Sequence, residues 1–130
     1  MAGTMLPLGI ILAHLVGDYL LQSHWMATEK VHRWWPAVAH GLTYTLPYLV
    51  VTRSPLALLV IAGTHVVIDR YRLAKHVVWL KNQLGPSSHR PGHTPTGYPD
   101  ETPAWLAVWL LIVADNTLHL LINTAAVVWL

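Results

Sequence analysis

Four long apolar stretches, separated by polar or proline-rich punctuation, set the pattern of this chain. The first, Met5 to Gln22, predicts a membrane span. Its eighteen residues cover about 27 Å of helix at ~1.5 Å per residue, close to the hydrocarbon thickness of a bilayer. The second runs from Pro36, well placed at a helix start, to about Thr52, with Pro47 as a predicted kink. The third covers residues 55–71 and the fourth 103–129. Between these two, Arg72 to Leu84 mixes Lys75, His76 and Lys81 with Val77, Val78, Trp79 and Leu80, which predicts a short helix on the membrane surface. Gly85 to Pro103 is dense in proline and glycine and predicts a mobile, solvent-exposed loop. The expected fold is all-α: one transmembrane domain over residues 1–130, a four-helix bundle with an interfacial helix and a Pro/Gly-rich loop before the last span.

Composition strengthens this reading. Of 130 residues, 54% are hydrophobic and only 11% charged, which is unlike an ordinary soluble domain. Seven of the eight Lys and Arg residues fall in the first loop or at and beyond the end of the third span, and only Arg53 lies on the other side. The positive-inside rule then places both termini outside and the first and third loops in the cytoplasm, as in a multi-pass protein of a bacterial inner membrane. The basic residues are dispersed among short loops, so no nucleic-acid partner is expected. The N-terminus has no basic region or cleavage pattern of a removable signal peptide. Without cysteine, any metal must be held by nitrogen and oxygen, and nine histidines supply nitrogen.

The polar residues inside the apolar stretches carry the candidate chemistry. His14, Asp18 and Gln22 fall at i, i+4 and i+8; His65 and Asp69 repeat the first spacing; Asp115, His119 and Asn123 invert it. Spans one and three run toward the cytoplasm and span four away from it. All three therefore present an aspartate layer with a histidine layer about 5.4 Å deeper, and His40 enters the same region from span two. Ionisable groups at such depth are costly and mark function by default. Divalent metal is an economical way to neutralise carboxylates there, with zinc first and manganese or iron as alternatives. The expected metal ligands are His14, Asp18, His65, Asp69 and His119. Asp115 and His40 are expected to ligate or move protons. Arg70 and Arg72 could hold a substrate phosphate, although topology explains them equally well.

The stretches AHLVGDYLLQSHWMATEK, THVVIDRYR and DNTLHLL resemble a family of small bacterial and bacteriophage membrane proteins classified as a domain of unknown function. His14, Gly17, Asp18, Gln22, His40, His65, Asp69, Asp115 and His119 match its pattern; Arg70 and Arg72, with Lys75 slightly later, stand where many members carry a lysine. The resemblance supports the fold and implies no activity. In ligand spacing alone, the His-x-x-x-Asp pairs are similar to those of all-helical zinc phospholipases C.

The leading expectation is a metal-dependent hydrolase acting on a lipid or other phosphoester near the cytoplasmic leaflet, with the bilayer as its setting. An oligomeric metal-ion or proton transporter is the alternative, and a structural or regulatory membrane protein the third. No ionisable residue continues the stripe to the exterior side of spans one, three or four, which favours a closed site over a conduit.

Overall fold

The computed structural model describes residues 2–130, all-α with no strand among them. α1 (Ala2–Leu15) runs into a single π-helical turn, Val16–Leu20, and α2 (His24–Glu29) follows. α3 (Trp34–Thr45) tightens into a 3-10 segment, Leu46–Val50; α4 spans Pro55–Tyr71, α5 Leu73–Asn82 and α6 Ala104–Trp129, with a 3-10 turn at Ser87–His89. The helical boundaries follow local chemistry. Ser23 Oγ accepts the Met26 N–H and so caps α2, while Ser54 Oγ accepts the Ala57 N–H ahead of α4, with Pro55 in the first helical position. The α-helical ladder of α3 gives way next to Pro47, as expected where a ring replaces an N–H.

Two compact units divide the chain: residues up to Tyr71 with His119–Leu130, and Arg72–Leu118. The first holds a core of Ile10, Ala13, Tyr44, Tyr48, Ala57, Ile61 and Ala126. A close backbone approach occurs at Gly17, where a Cβ would lie 2.6 Å from Tyr44 Cδ2 and 2.9 Å from the Tyr44 carbonyl oxygen. Only glycine lets α3 come this close to the π turn.

In the second unit, the segment after α5 is tied back onto it. Trp79 Nε1 donates to the Gly92 carbonyl, Gln83 Nε2 to Pro91 and Asn82 Nδ2 to Gly97, and Lys81 Nζ donates to Tyr98 Oη. Gly97 has φ +80°, and a Cβ there would meet the Lys75 carbonyl at 2.5 Å and the Trp79 nitrogen at 2.7 Å. The segment expected as a mobile loop thus has specific anchors on the helix before it.

Three expectations change. Leu20 ends the first helical stretch, so Gln22 lies beyond it and not on a helical stripe with His14 and Asp18. The first loop contains α2, a helix that its hydropathy pattern did not announce. Of the four expected spans, only α6 is long and apolar enough to cross a membrane; the first is a shorter apolar helix. The 26 residues of α6 reach about 39 Å at ~1.5 Å each.

Candidate metal centre

Four side chains of the first unit converge. Asp18 is delivered by the π turn, in which the Leu21 N–H reaches back five residues to the Val16 carbonyl at 3.0 Å. Such single π turns widen a helix locally and recur at functional sites. His40 comes from the middle of α3, and His65 and Asp69 from one face of α4, a turn apart. Both histidines are fully buried, and the carboxylate groups of Asp69 and Asp18 are 5% and 12% exposed.

The atoms that face one another are His40 Nε2, His65 Nε2, Asp18 Oδ1 and Asp69 Oδ2. His40 Nε2 lies 2.9 Å from His65 Nε2, 3.2 Å from Asp18 Oδ1 and 3.4 Å from Asp69 Oδ2. His65 Nε2 lies 3.4 Å from Asp18 Oδ1 and 3.3 Å from Asp69 Oδ2. A tetrahedral divalent ion with bonds of about 2.0–2.1 Å needs donors about 3.3–3.4 Å apart. Four of these five separations are within a few tenths of that edge and the fifth is slightly short. The buried His/Asp group can therefore hold a metal ion, and its donor set is the nitrogen and oxygen mixture that zinc, manganese and iron accept.

Each carboxylate spends its other oxygen on an outer histidine. His119 Nε2 lies 3.1 Å from Asp69 Oδ1, and His14 Nε2 lies 3.6 Å from Asp18 Oδ2. His14 in turn is fixed from below. Its Nδ1 is 2.7 Å from Tyr44 Oη, Asn123 Nδ2 donates to Tyr44 Oη at 2.6 Å and to Tyr48 Oη at 2.7 Å, and Tyr48 donates to the Ile10 carbonyl at 3.4 Å. With Asn123 filling the acceptor side of both phenols, the Tyr44 hydroxyl proton can serve His14 Nδ1. In that arrangement the His14 proton is on Nε2, facing Asp18. The Tyr44 ring also stacks on His65, 3.6 Å between centroids and 13° from parallel.

On the other side, Lys30 closes the centre. Its Nζ donates to Asp69 Oδ2 at 2.5 Å, and Gln22, with its amide oxygen turned inward, accepts from Nζ at 2.7 Å. Lys30 is 18% exposed. Arg70 holds the chain beside it: its guanidinium donates to the carbonyls of Val31 and His32 and lies over the Trp34 ring at 5.4 Å.

The structure thus gathers His14, Asp18, His40, His65, Asp69 and His119 into one constellation, with His40 in the inner quartet and His14 and His119 outside it. Arg70, expected as a phosphate ligand, is occupied by backbone carbonyls. Arg72 belongs to the second unit, at the turn into α5. Asp115 is half-buried on α6, one turn before His119. Sequence reasoning missed Lys30, which read as a topology-setting loop cation. The Ser23 cap and the six residues it opens were the available signal that a helix would fold Lys30 back.

Residues 6–129 match a family described as protein of unknown function, DUF3307. The chain belongs to that family. Its match takes in every residue of the constellation and Lys30, so the centre lies wholly inside the family domain. No curated protein and no solved structure is detectably similar to the chain.

Proposed function

We propose that this chain is a membrane-embedded, metal-dependent hydrolase that acts on a lipid or other phosphoester, with zinc as the first choice of ion. The observation that carries the reading is the quartet of Asp18, His40, His65 and Asp69 with its near-tetrahedral spacing. When bound, such an ion supplies Lewis acidity and activates water. Everything else is done by the chain. His14 and His119 fix the orientation of the two carboxylates by taking their outer oxygens, as partners of metal ligands commonly do. Tyr44, Tyr48 and Asn123 close the deep side with mutual hydrogen bonds. Lys30, bound to Asp69 Oδ2, borders the centre on the side away from the tyrosines. Asp115 is the candidate proton carrier.

A membrane setting is supported by an inverted distribution of residues. In the first unit the buried positions include four histidines, Asp69 and Asn123, while Leu20, Val50 and Leu59 are 76%, 90% and 69% exposed. Water would penalise that outer surface, and lipid would not. Only 11% of the apolar window of α6 is buried, which is unlike the core helix of a soluble protein. We place the chain in a bacterial inner membrane with both termini outside, on the Lys/Arg asymmetry. The closed deep side favours an enzyme over a conduit.

The test is elemental analysis of purified protein beside His65→Ala and Asp69→Ala. Near-stoichiometric transition metal in the wild type, and a large loss of it in both variants, is expected when one of four ligands is removed. Wild-type protein without metal, or variants that retain it, would refute the centre. Hydrolysis of labelled phospholipid that survives both substitutions would refute the catalytic reading while leaving metal binding intact.

A further inference from the structure

A groove of about 490 Å³ opens in the second unit, lined by Arg72, Lys75, His76, Trp79, His93, Thr94 and Pro95. No acidic residue lines it. Most of the chain's other cations are committed: Lys30 to Asp69, Arg70 to two carbonyls, Lys81 to Tyr98 Oη and Arg90 to the Gly85 carbonyl. The side chains of Arg72 and Lys75, by contrast, have no hydrogen-bond or ion-pair partner among the described residues.

The backbone brings these groups together at some cost. Arg72 has φ +52° and ψ +47°, the only positive φ at a non-glycine residue among the described ones. Left-handed backbone is unfavourable for any L residue with a Cβ, and such strain is often found where a site needs it. Here the turn starts α5 so that Arg72, Lys75 and His76 share its first turn. The opposite wall, His93 to Pro95, is held by the anchors that tie the following segment to α5, with Thr94 Oγ1 donating to the Tyr98 carbonyl at 2.8 Å. The His93 ring lies parallel to Trp79, 4° between planes. Two positive charges, imidazole donors and a helix N-terminus form a recess of small-ligand size that suits a compact dianion.

We propose that this groove binds a phosphomonoester, with Arg72 and Lys75 matching its two negative charges. A diester carries one charge and matches less well. The proposal does not depend on the metal reading, because none of the lining residues belongs to the metal centre.

The test uses the full chain in a nonionic detergent. Inorganic phosphate is titrated and followed by phosphorus NMR, and separately the micelles are doped with phosphatidic acid, a phosphomonoester lipid, or with phosphatidylcholine, a diester. Saturable binding is expected, weakened at least tenfold in the double variant Arg72→Gln/Lys75→Gln and unchanged in Arg53→Gln, whose exposed cation lies outside the groove. Saturation by inorganic phosphate assigns a soluble phosphomonoester as sufficient, and saturation by phosphatidic acid alone assigns a lipid headgroup. Arg72→Gly separates charge from backbone: it should weaken binding while leaving the melting temperature equal or higher. Absence of saturation with both probes, binding kept in the double variant, loss of equal size in Arg53→Gln, or equal response to phosphatidic acid and phosphatidylcholine would each overturn the site.

Discussion

The two units handle charge in opposite ways. In the first, the buried carboxylate of Asp69 and the half-buried one of Asp18 are both surrounded: Asp69 by His40, His65, His119 and Lys30, and Asp18 by His14, His40 and His65. In the second, Arg72 and Lys75 stand at a groove with no counter-charge. Burial explains the contrast. A carboxylate removed from water must be matched by the fold itself, because an uncompensated buried charge costs several kcal/mol (roughly) or more. A surface cation is already solvated and can wait for a ligand. The first unit therefore matches its carboxylates internally, with imidazoles and Lys30, and the second presents cations outward.

Substitutions at the packing contacts of each unit should separate them. Gly17→Ala is expected to have the largest effect. Its Cβ would meet both the ring and the carbonyl of Tyr44, so α3 must shift. We expect a loss of about 3 kcal/mol, the upper range for overpacking, together with loss of bound metal because His40 rides on α3. Denaturant midpoints and metal content check this, and wild-type metal content in Gly17→Ala would show that the quartet tolerates a displaced α3.

Gly97→Ala is the counterpart in the second unit. A positive φ and the two backbone contacts of its Cβ should cost about 2 kcal/mol, confined to the attachment of residues 85–103 to α5. Faster proteolysis within that segment, with unchanged metal content, is the expected result. Loss of metal in this variant would mean that the units do not behave independently.

Lys30→Met should produce the smallest change, opposite in sign. The Lys30 ammonium already sits on Asp69 Oδ2, one of the four inner donors, so an incoming divalent ion meets its repulsion. Removing it should tighten metal binding by roughly tenfold, or about 1.4 kcal/mol, in competition with a chromophoric chelator. Weaker binding would instead make Lys30 a structural clamp on Asp69.

Much of the architecture was legible in the pattern of residues. Apolar runs located α3, α4 and α6 closely, the Pro47 kink appeared as a change of helix type, and the His-x-x-x-Asp spacing with its inverse found five of the seven groups now gathered at the centre, His40 being added by the direction of the second apolar run. The exception, Lys30, lies in a stretch whose hydropathy does not distinguish a short capped helix from a loop. The π turn was equally hidden, since it depends on the packing of Gly17 against Tyr44 and not on any local preference.

The sequence alone determined which groups are chemically available: histidine and aspartate without cysteine, placed at helical spacing within apolar stretches that cannot solvate them. It also determined the family. Only the tertiary structure decided their order, because spacing along a helix sets which residues share a face and not which of their atoms meet across helices. It brought His40 Nε2 into the inner quartet, turned His14 and His119 onto the outer oxygens and folded Lys30 onto Asp69. Those choices depend on a few ångströms of approach between neighbouring elements: the π turn meets α3 where Gly17 has no Cβ, and α3 meets α4 where Gly41 has none.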